Sequence, residues 1–140
     1  NVALAVRRRL GGDADKVRAE VDSALSRVGL LDRADHIADD LSYGHQRLLE
    51  IAMGLGQKPK LLILDEPTQG LADSEIADFK NLIRSMAGET TILLIEHNMD
   101  VVMEMADVIT VLNFGEVLAE GPPDQIHANA DVQAAYLGTG

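Results

Sequence analysis

The chain has 140 residues, 46% hydrophobic and 25% charged, which suits one compact domain or part of one and excludes a disordered tail or a fibrous repeat. Against 12 lysines and arginines stand 23 aspartates and glutamates, a net charge of -11 that opposes docking on nucleic acid or anionic lipid, so work at a membrane would need a protein partner. The absence of cysteine excludes disulfides and thiolate metal sites, and no apolar run approaches the roughly 20 residues that span a bilayer. The first residue is Asn1 and no signal-peptide pattern follows, so the start reads as a cut through a longer chain.

From Asp13 to Val28 the apolar residues Val17, Val21, Ala24, Leu25 and Val28 recur at helical spacing, and Gly29 follows where a helix would end. Ser42 is the natural cap of a second helix, whose apolar side runs through Leu48, Leu49, Ile51, Ala52 and Leu55 until Gly56 and Pro59 break it. Lys60 to Asp65 is an apolar run of strand length, the pattern of a strand covered on both faces, and Pro67 and Gly70 mark its exit. A third helix near Ser74 to Met86 places Ile76, Phe79, Ile83 and Met86 on one stripe and leaves Asp78, Lys80 and Arg84 outside. Thr91 to Ile95 reads as a second strand, Val101, Val102 and Met105 as a short helix, and Val108 to Leu112 as a third strand. Asn113, Phe114 and Gly115 then turn the chain into Glu116 to Ala119, closing it with an antiparallel hairpin. Strand, helix, strand, helix, strand predicts an α/β fold with a parallel sheet and flanking helices.

In an open parallel sheet, ligands gather at the carboxyl ends of the strands. Two such exits carry reactive side chains: Leu-Leu-Ile-Leu-Asp-Glu-Pro at residues 61 to 67, and Ile-Glu-His at residues 95 to 97. Asp65, closing a buried strand, needs a cation or strong donors to stay charged and is a candidate ligand for hydrated Mg²⁺. Glu66 beside it can orient and deprotonate a water attacking a terminal phosphate; the plainer alternative is an acidic turn after a buried strand. Ser42, Gly44 and His45 lie at a helix start, where free N–H groups and the dipole favour an anion and Gly44 admits a close approach. An ordinary capped helix explains the same residues. His97 could donate to a phosphate oxygen, although taken alone it reads as a surface or capping residue, and Asp73 alone reads as a helix cap. Met99, Met103 and Met105 read as packing.

Taken in order, the capped glycine helix, the apolar strand ending in Asp-Glu-Pro, Gly70-Leu71-Ala72-Asp73, the second strand, Glu96-His97 and the closing hairpin resemble the ATPase domain of ABC transporters, a P-loop NTPase fold. The resemblance covers nearly the whole chain. It implies that Leu41-Ser42-Tyr43-Gly44-His45-Gln46 is the signature motif, Asp65 and Glu66 the end of the Walker B strand, Asp73 the D-loop aspartate and His97 the switch histidine. It further implies ATP and Mg²⁺ as cofactors, with Asp65 on the metal and Glu66 and His97 catalytic in cis. Ser42, Gly44 and His45 would touch nucleotide held by a second ATPase subunit. Closure on ATP and opening after hydrolysis would drive transmembrane permease subunits from the cytoplasmic face of the membrane, with a periplasmic or extracellular solute-binding protein as an indirect partner.

Tyr43-Gly44, the stretch from Ile95 to Met103 and the tail Asp-Val-Gln-Ala-Ala-Tyr-Leu-Gly at residues 131 to 138 are similar to the subgroup that energises branched-chain amino-acid import, with urea or short-amide importers as the alternative. Tyr43 stands where the family has the signature's second glycine, His45 where it has glutamine, and Met53 at an often-basic position. Residues 1–56 would form the helical subdomain with the signature helix, and 57–140 part of the catalytic core and the tail. No Gly-x-x-x-x-Gly-Lys-Ser/Thr occurs, none of Lys16, Lys58, Lys60 or Lys80 follows such a loop, and the family's glutamine loop is absent too. The expectation is thus the C-terminal part of such a domain, inactive alone, with its phosphate cradle upstream of Asn1 and with apolar strand edges and faces left uncovered in isolation. A non-catalytic interaction module of the same fold remains an alternative. So does a soluble ATPase acting on ribosomes or DNA, which the acidic charge opposes.

Overall fold

The chain begins with a helix that the apolar pattern did not announce, α1 (Val2–Leu10), whose Val2 and Val6 lie one turn apart and are buried. Asp13 starts α2 (Ala14–Arg27) by accepting the Lys16 backbone N–H at 3.1 Å, and Gly29, at φ 69°, follows its end in the left-handed region that glycine enters without strain. Ser42 caps α3 (Tyr43–Leu55), as its position in the sequence predicts. The three helices pack on one another around Val2, Val6, Val17, Ala24, Leu25, Leu48, Ile51, Ala52 and Leu55. The Val6 side chain comes within 2.9 Å of where a Cβ on Gly56 would stand, so the end of α3 is seated directly on α1.

The computed structural model describes residues 1–137 and divides between Leu93 and Leu94 into two units; Gly138, the last residue of the importer-like tail, lies outside the described residues. Strand β1 (Leu61–Asp65) leads through α4 (Asp73–Ser85) to β2 (Thr91–Ile95), whose first three residues belong to the first unit, and the two strands form a two-stranded parallel sheet. The sheet is clasped at its start by the Thr91 N–H on the Lys60 carbonyl at 2.9 Å and the Thr90 hydroxyl on the Pro59 carbonyl at 3.1 Å. On α4 the expected stripe buries Phe79, Ile83 and the following Met86, and Leu82 joins them.

The strands differ from expectation in their burial. Leu61 and Ile63 are 52% and 58% exposed, and Asp65 is exposed with them, whereas Leu62 and Leu64 are half-buried. Side chains alternate across a strand, and among the described residues of this unit only the Leu62 side is covered, with α3 contributing Gly54 against the Leu62 methyl. Asp65 is therefore not held in an apolar setting here.

The second unit has its own small core. A short helix, α5 (Met99–Met105), precedes β3 (Ile109–Asn113), which pairs antiparallel with β4 (Glu116–Gly121) rather than extending the parallel sheet. Phe114 and Gly115 join them with φ 48° and 84°, both left-handed, as a two-residue hairpin turn requires. A bulge between Val111 and Leu112 shifts the register, since Val111 faces Ala119 and Leu112 faces Val117. The helices α6 (Pro123–Ala128) and α7 (Ala130–Val132) place Ile126 and Val132 against Ile109 and Val111, and the Tyr136 hydroxyl donates to the Leu112 carbonyl.

Two charged clasps tie the helices of the first unit to its sheet end. Glu20 bridges Arg9 at 3.1 Å and Lys58 at 2.6 Å, while Arg27 pairs with Glu89 at 2.9 Å and donates to the Ser85 carbonyl at 3.1 Å. The Lys58 hydrogen bond, aided by the charges of Lys58 and Arg9, holds the Glu20 carboxyl below its ordinary value against the opposing effect of burial. A lowered folded value means that this contribution is fully present above the ordinary glutamate range and is lost as pH falls through the folded value. Glu20→Gln should therefore cost about 0.5 kcal/mol near neutrality, with the difference from wild type vanishing in acid when denaturant midpoints are followed from pH 7 to pH 3.

Candidate functional site

Helix α3 starts with four backbone N–H groups that lack partners within the helix. Ser42 Oγ takes one of them, the His45 N–H, at 3.3 Å, and lies 2.9 Å from His45 Nδ1, sharing a hydrogen bond whose direction follows the imidazole tautomer. The Gln46 amide reaches back to the carbonyls of Ala38 and Leu41, each at 3.2 Å, and staples the preceding turn to the helix. Ser42 is exposed, His45 half-buried and Gly44 buried.

The loop after β1 turns at once. Glu66 follows Asp65 with φ 44°, a left-handed backbone that costs a non-glycine residue about 1–2 kcal/mol. Its carbonyl accepts the Gln69 N–H and that of Thr68 accepts the Leu71 N–H, both at 3.2 Å. Pro67 and Thr68 are buried, while Gly70 is left-handed at φ 76°.

The start of α3 and this loop meet through two glycines. The Tyr43 ring lies 3.3 Å from where a Cβ on Gly70 would stand, and the Glu75 carboxylate fills the space above Gly44, with Oε1 2.2 Å from the corresponding point. Tyr43 thus covers the turn after β1. Glu75 also accepts the Ala72 N–H at 3.0 Å, the return half of a capping box; Ala72 has no side-chain oxygen to supply the other half. Asp73 is the first residue of α4, exposed, and Ala72 rather than Asp73 occupies the cap position.

Arg47, one turn into α3, is the cation of this region. It pairs with Glu50 at 2.7 Å, and that hydrogen bond, with the charges of Glu50, Tyr43 and Asp65, strengthens its hold on its proton although burial opposes it. Its Nε is buried without a hydrogen-bond partner. The Tyr43–Gly70 contact sets the start of α3, with Ser42, Gly44 and His45, against the loop that follows Asp65 and Glu66. No cluster of three or more His, Asp or Glu side chains able to hold a metal exists among the described residues.

His97 belongs to the second unit. Glu96 accepts the backbone N–H groups of His97 and Asn98, both at 3.1 Å, and Asn98 caps α5 by accepting the Val101 N–H at 3.3 Å. The His97 side chain is exposed. Glu75 and Arg47 were not singled out as site residues by motif reasoning. Of these, Glu75 had a visible cue, an acidic residue three positions after a helix start, but the alanine at position 72 concealed the box.

A parallel strand ending in adjacent carboxylates, close to a glycine-bearing helix start, marks the phosphate-handling class of α/β proteins. A family model described as ABC transporter matches residues 2–69, and one described as Branched-chain amino acid ATP-binding cassette transporter matches residues 116–140. The chain is 48% identical over 116 residues to the high-affinity branched-chain amino acid transport ATP-binding protein LivG of Escherichia coli, covering 81% of this chain and 46% of LivG. It is 47% identical over 116 residues to BraF of Pseudomonas aeruginosa, described in the same words, covering 81% of this chain and 46% of BraF. Among solved structures, CbiO1 of Clostridium perfringens, part of the ABC transporter complex cbiONQ, superposes with a TM-score of 0.81 at 30% identity, over 96% of this chain and 54% of CbiO1. The chain belongs to the ABC transporter ATP-binding family. It spans about half the length of the curated relatives it matches.

The cap gives a direct check on the α3 start. Ser42→Ala should destabilise the protein by about 1 kcal/mol and Ser42→Gly by only a few tenths, read from denaturant midpoints.

Proposed function

We propose that this chain is part of the ATP-hydrolysing subunit of an importer for branched-chain amino acids. The observation that carries the chemistry is Glu66, held in a strained left-handed backbone beside Asp65 where β1 ends. Strain of this kind persists where surrounding structure enforces it, and it tends to mark sites that must aim a side chain. Glu66 would accept a proton from the attacking water and align it with the terminal phosphate of ATP. Asp65 would hold Mg²⁺, which when bound neutralises charge on the phosphate oxygens. His97 would donate to a phosphate oxygen, and Asp73 would stand beside the nucleotide.

Ser42, Gly44 and His45 would meet nucleotide carried by a second ATPase subunit. The 140 residues contain no Gly-x-x-x-x-Gly-Lys-Ser/Thr stretch, so the main phosphate cradle would be supplied by polypeptide outside them, and the chain alone would not turn over ATP. No helix among the described residues is long and apolar enough to cross a membrane. As an importer subunit it would attach at the cytoplasmic face through transmembrane permease subunits, with a solute-binding protein delivering substrate from outside. The substrate class rests on the similarity to the branched-chain amino acid transport proteins LivG and BraF and on the match over residues 116–140.

In the intact subunit assembled with its permease, Glu66→Gln should leave Mg-ATP binding and subunit association in place and lower hydrolysis by about 10² to 10⁴. Phosphate release and equilibrium nucleotide binding measured side by side test this, and undiminished turnover would refute the role given to Glu66.

A further inference from the structure

The place at the start of α3 where a phosphate would settle already holds an anion, and that anion is a side chain. Glu75 Oε1 lies within a long hydrogen bond, 3.4 Å, of the Ser42 hydroxyl, while Oε2 accepts the Ala72 N–H at 3.0 Å. The carboxyl carbon and Oε1 both stand 2.2 Å from where a Cβ on Gly44 would be, which puts the carboxylate directly over the open face of that glycine. A hydroxyl, a bare glycine and a helix start are the features that the function proposed above assigns to nucleotide. One space cannot contain both the carboxylate and a phosphate, and two anions in contact repel.

We propose that Glu75 sets the nucleotide affinity of this subunit, its carboxylate keeping the place of a phosphate at the start of α3 and swinging aside when one arrives. This rests on the assignment of Ser42 and Gly44 to nucleotide binding. The contact is built to yield. Glu75 is half-buried, not enclosed. Its contact with Ser42 is longer than the usual range for a hydroxyl donor. Withdrawal gives up one firm hydrogen bond, to Ala72 N–H, from an end of α4 that opens to solvent at Asp73 and Ser74. A residue serving only as a helix cap needs just the oxygen on Ala72; the second oxygen and the seat on Gly44 are surplus to that role.

The test uses the intact ATPase subunit with its permease and compares wild type, Glu75→Gln and Glu75→Ala. Glutamine keeps an oxygen for the Ala72 N–H and removes the charge. Its KM for ATP should fall about threefold to tenfold with kcat little changed, and the fall should shrink as salt is raised. A fall in the glutamine variant supports the proposal whatever the alanine variant loses in stability. A KM unchanged or raised in the glutamine variant overturns it and leaves Glu75 as a cap. Glu66→Gln run in parallel separates the two levels of argument. If that variant hydrolyses ATP at the wild-type rate, the reading of the whole site fails. If it stops turnover while Glu75→Gln keeps the wild-type KM, only the role of Glu75 fails.

Discussion

The close approach between the start of α3 and the loop after β1 is the constraint on which the candidate site depends. It is possible because residues 44 and 70 lack side chains: the Glu75 carboxylate rests on one and the Tyr43 ring on the other. A Cβ at Gly44 would collide with the carboxylate, and a residue other than glycine at position 70 would also have to adopt φ 76°. Two elements separated by β1 thereby act as one surface. That contact sets the start of α3, with Ser42, against the loop that follows Asp65 and Glu66.

The same region concentrates local conflict. Glu66 occupies a left-handed backbone without being glycine, Arg47 buries an unpaired Nε, and the strand that delivers Asp65 exposes Leu61 and Ile63. Natural chains keep local choices consistent with the fold and depart from that consistency mostly at functional sites. By contrast, α2 is locally consistent: Asp13 caps it, Val17, Ala24 and Leu25 are buried, and Glu20 and Arg27 clasp it to the sheet end.

Much of this was legible beforehand because the signals are local. Asp13 and Ser42 cap their helices, Gly29 and Gly115 take positive φ, and Thr91–Ile95 is a strand with the expected bounds. The first helix escaped notice because Asn1 makes no side-chain cap and Arg7, Arg8 and Arg9 dilute its apolar side, leaving only Val2 and Val6 to mark it. Strand burial was misread for a different reason. An apolar run such as Leu61 to Leu64 says that both faces suit apolar surroundings, not what covers them. The third strand followed its nearest partner, since a two-residue turn brings β4 alongside β3 at little entropic cost.

By itself, then, the order of residues determined the central helices, the strands and the hairpin, because capping, periodicity and turn chemistry act over a few neighbours, and the order of its motifs pointed to the family. Tertiary structure alone decided that Glu75 sits over Gly44, that Tyr43 covers Gly70, and that Asp65 is exposed and felt by Arg47. Those facts join residues tens of positions apart. No local rule reaches so far, and only the packing of α3, β1 and α4 fixes which side chain fills the space a glycine leaves.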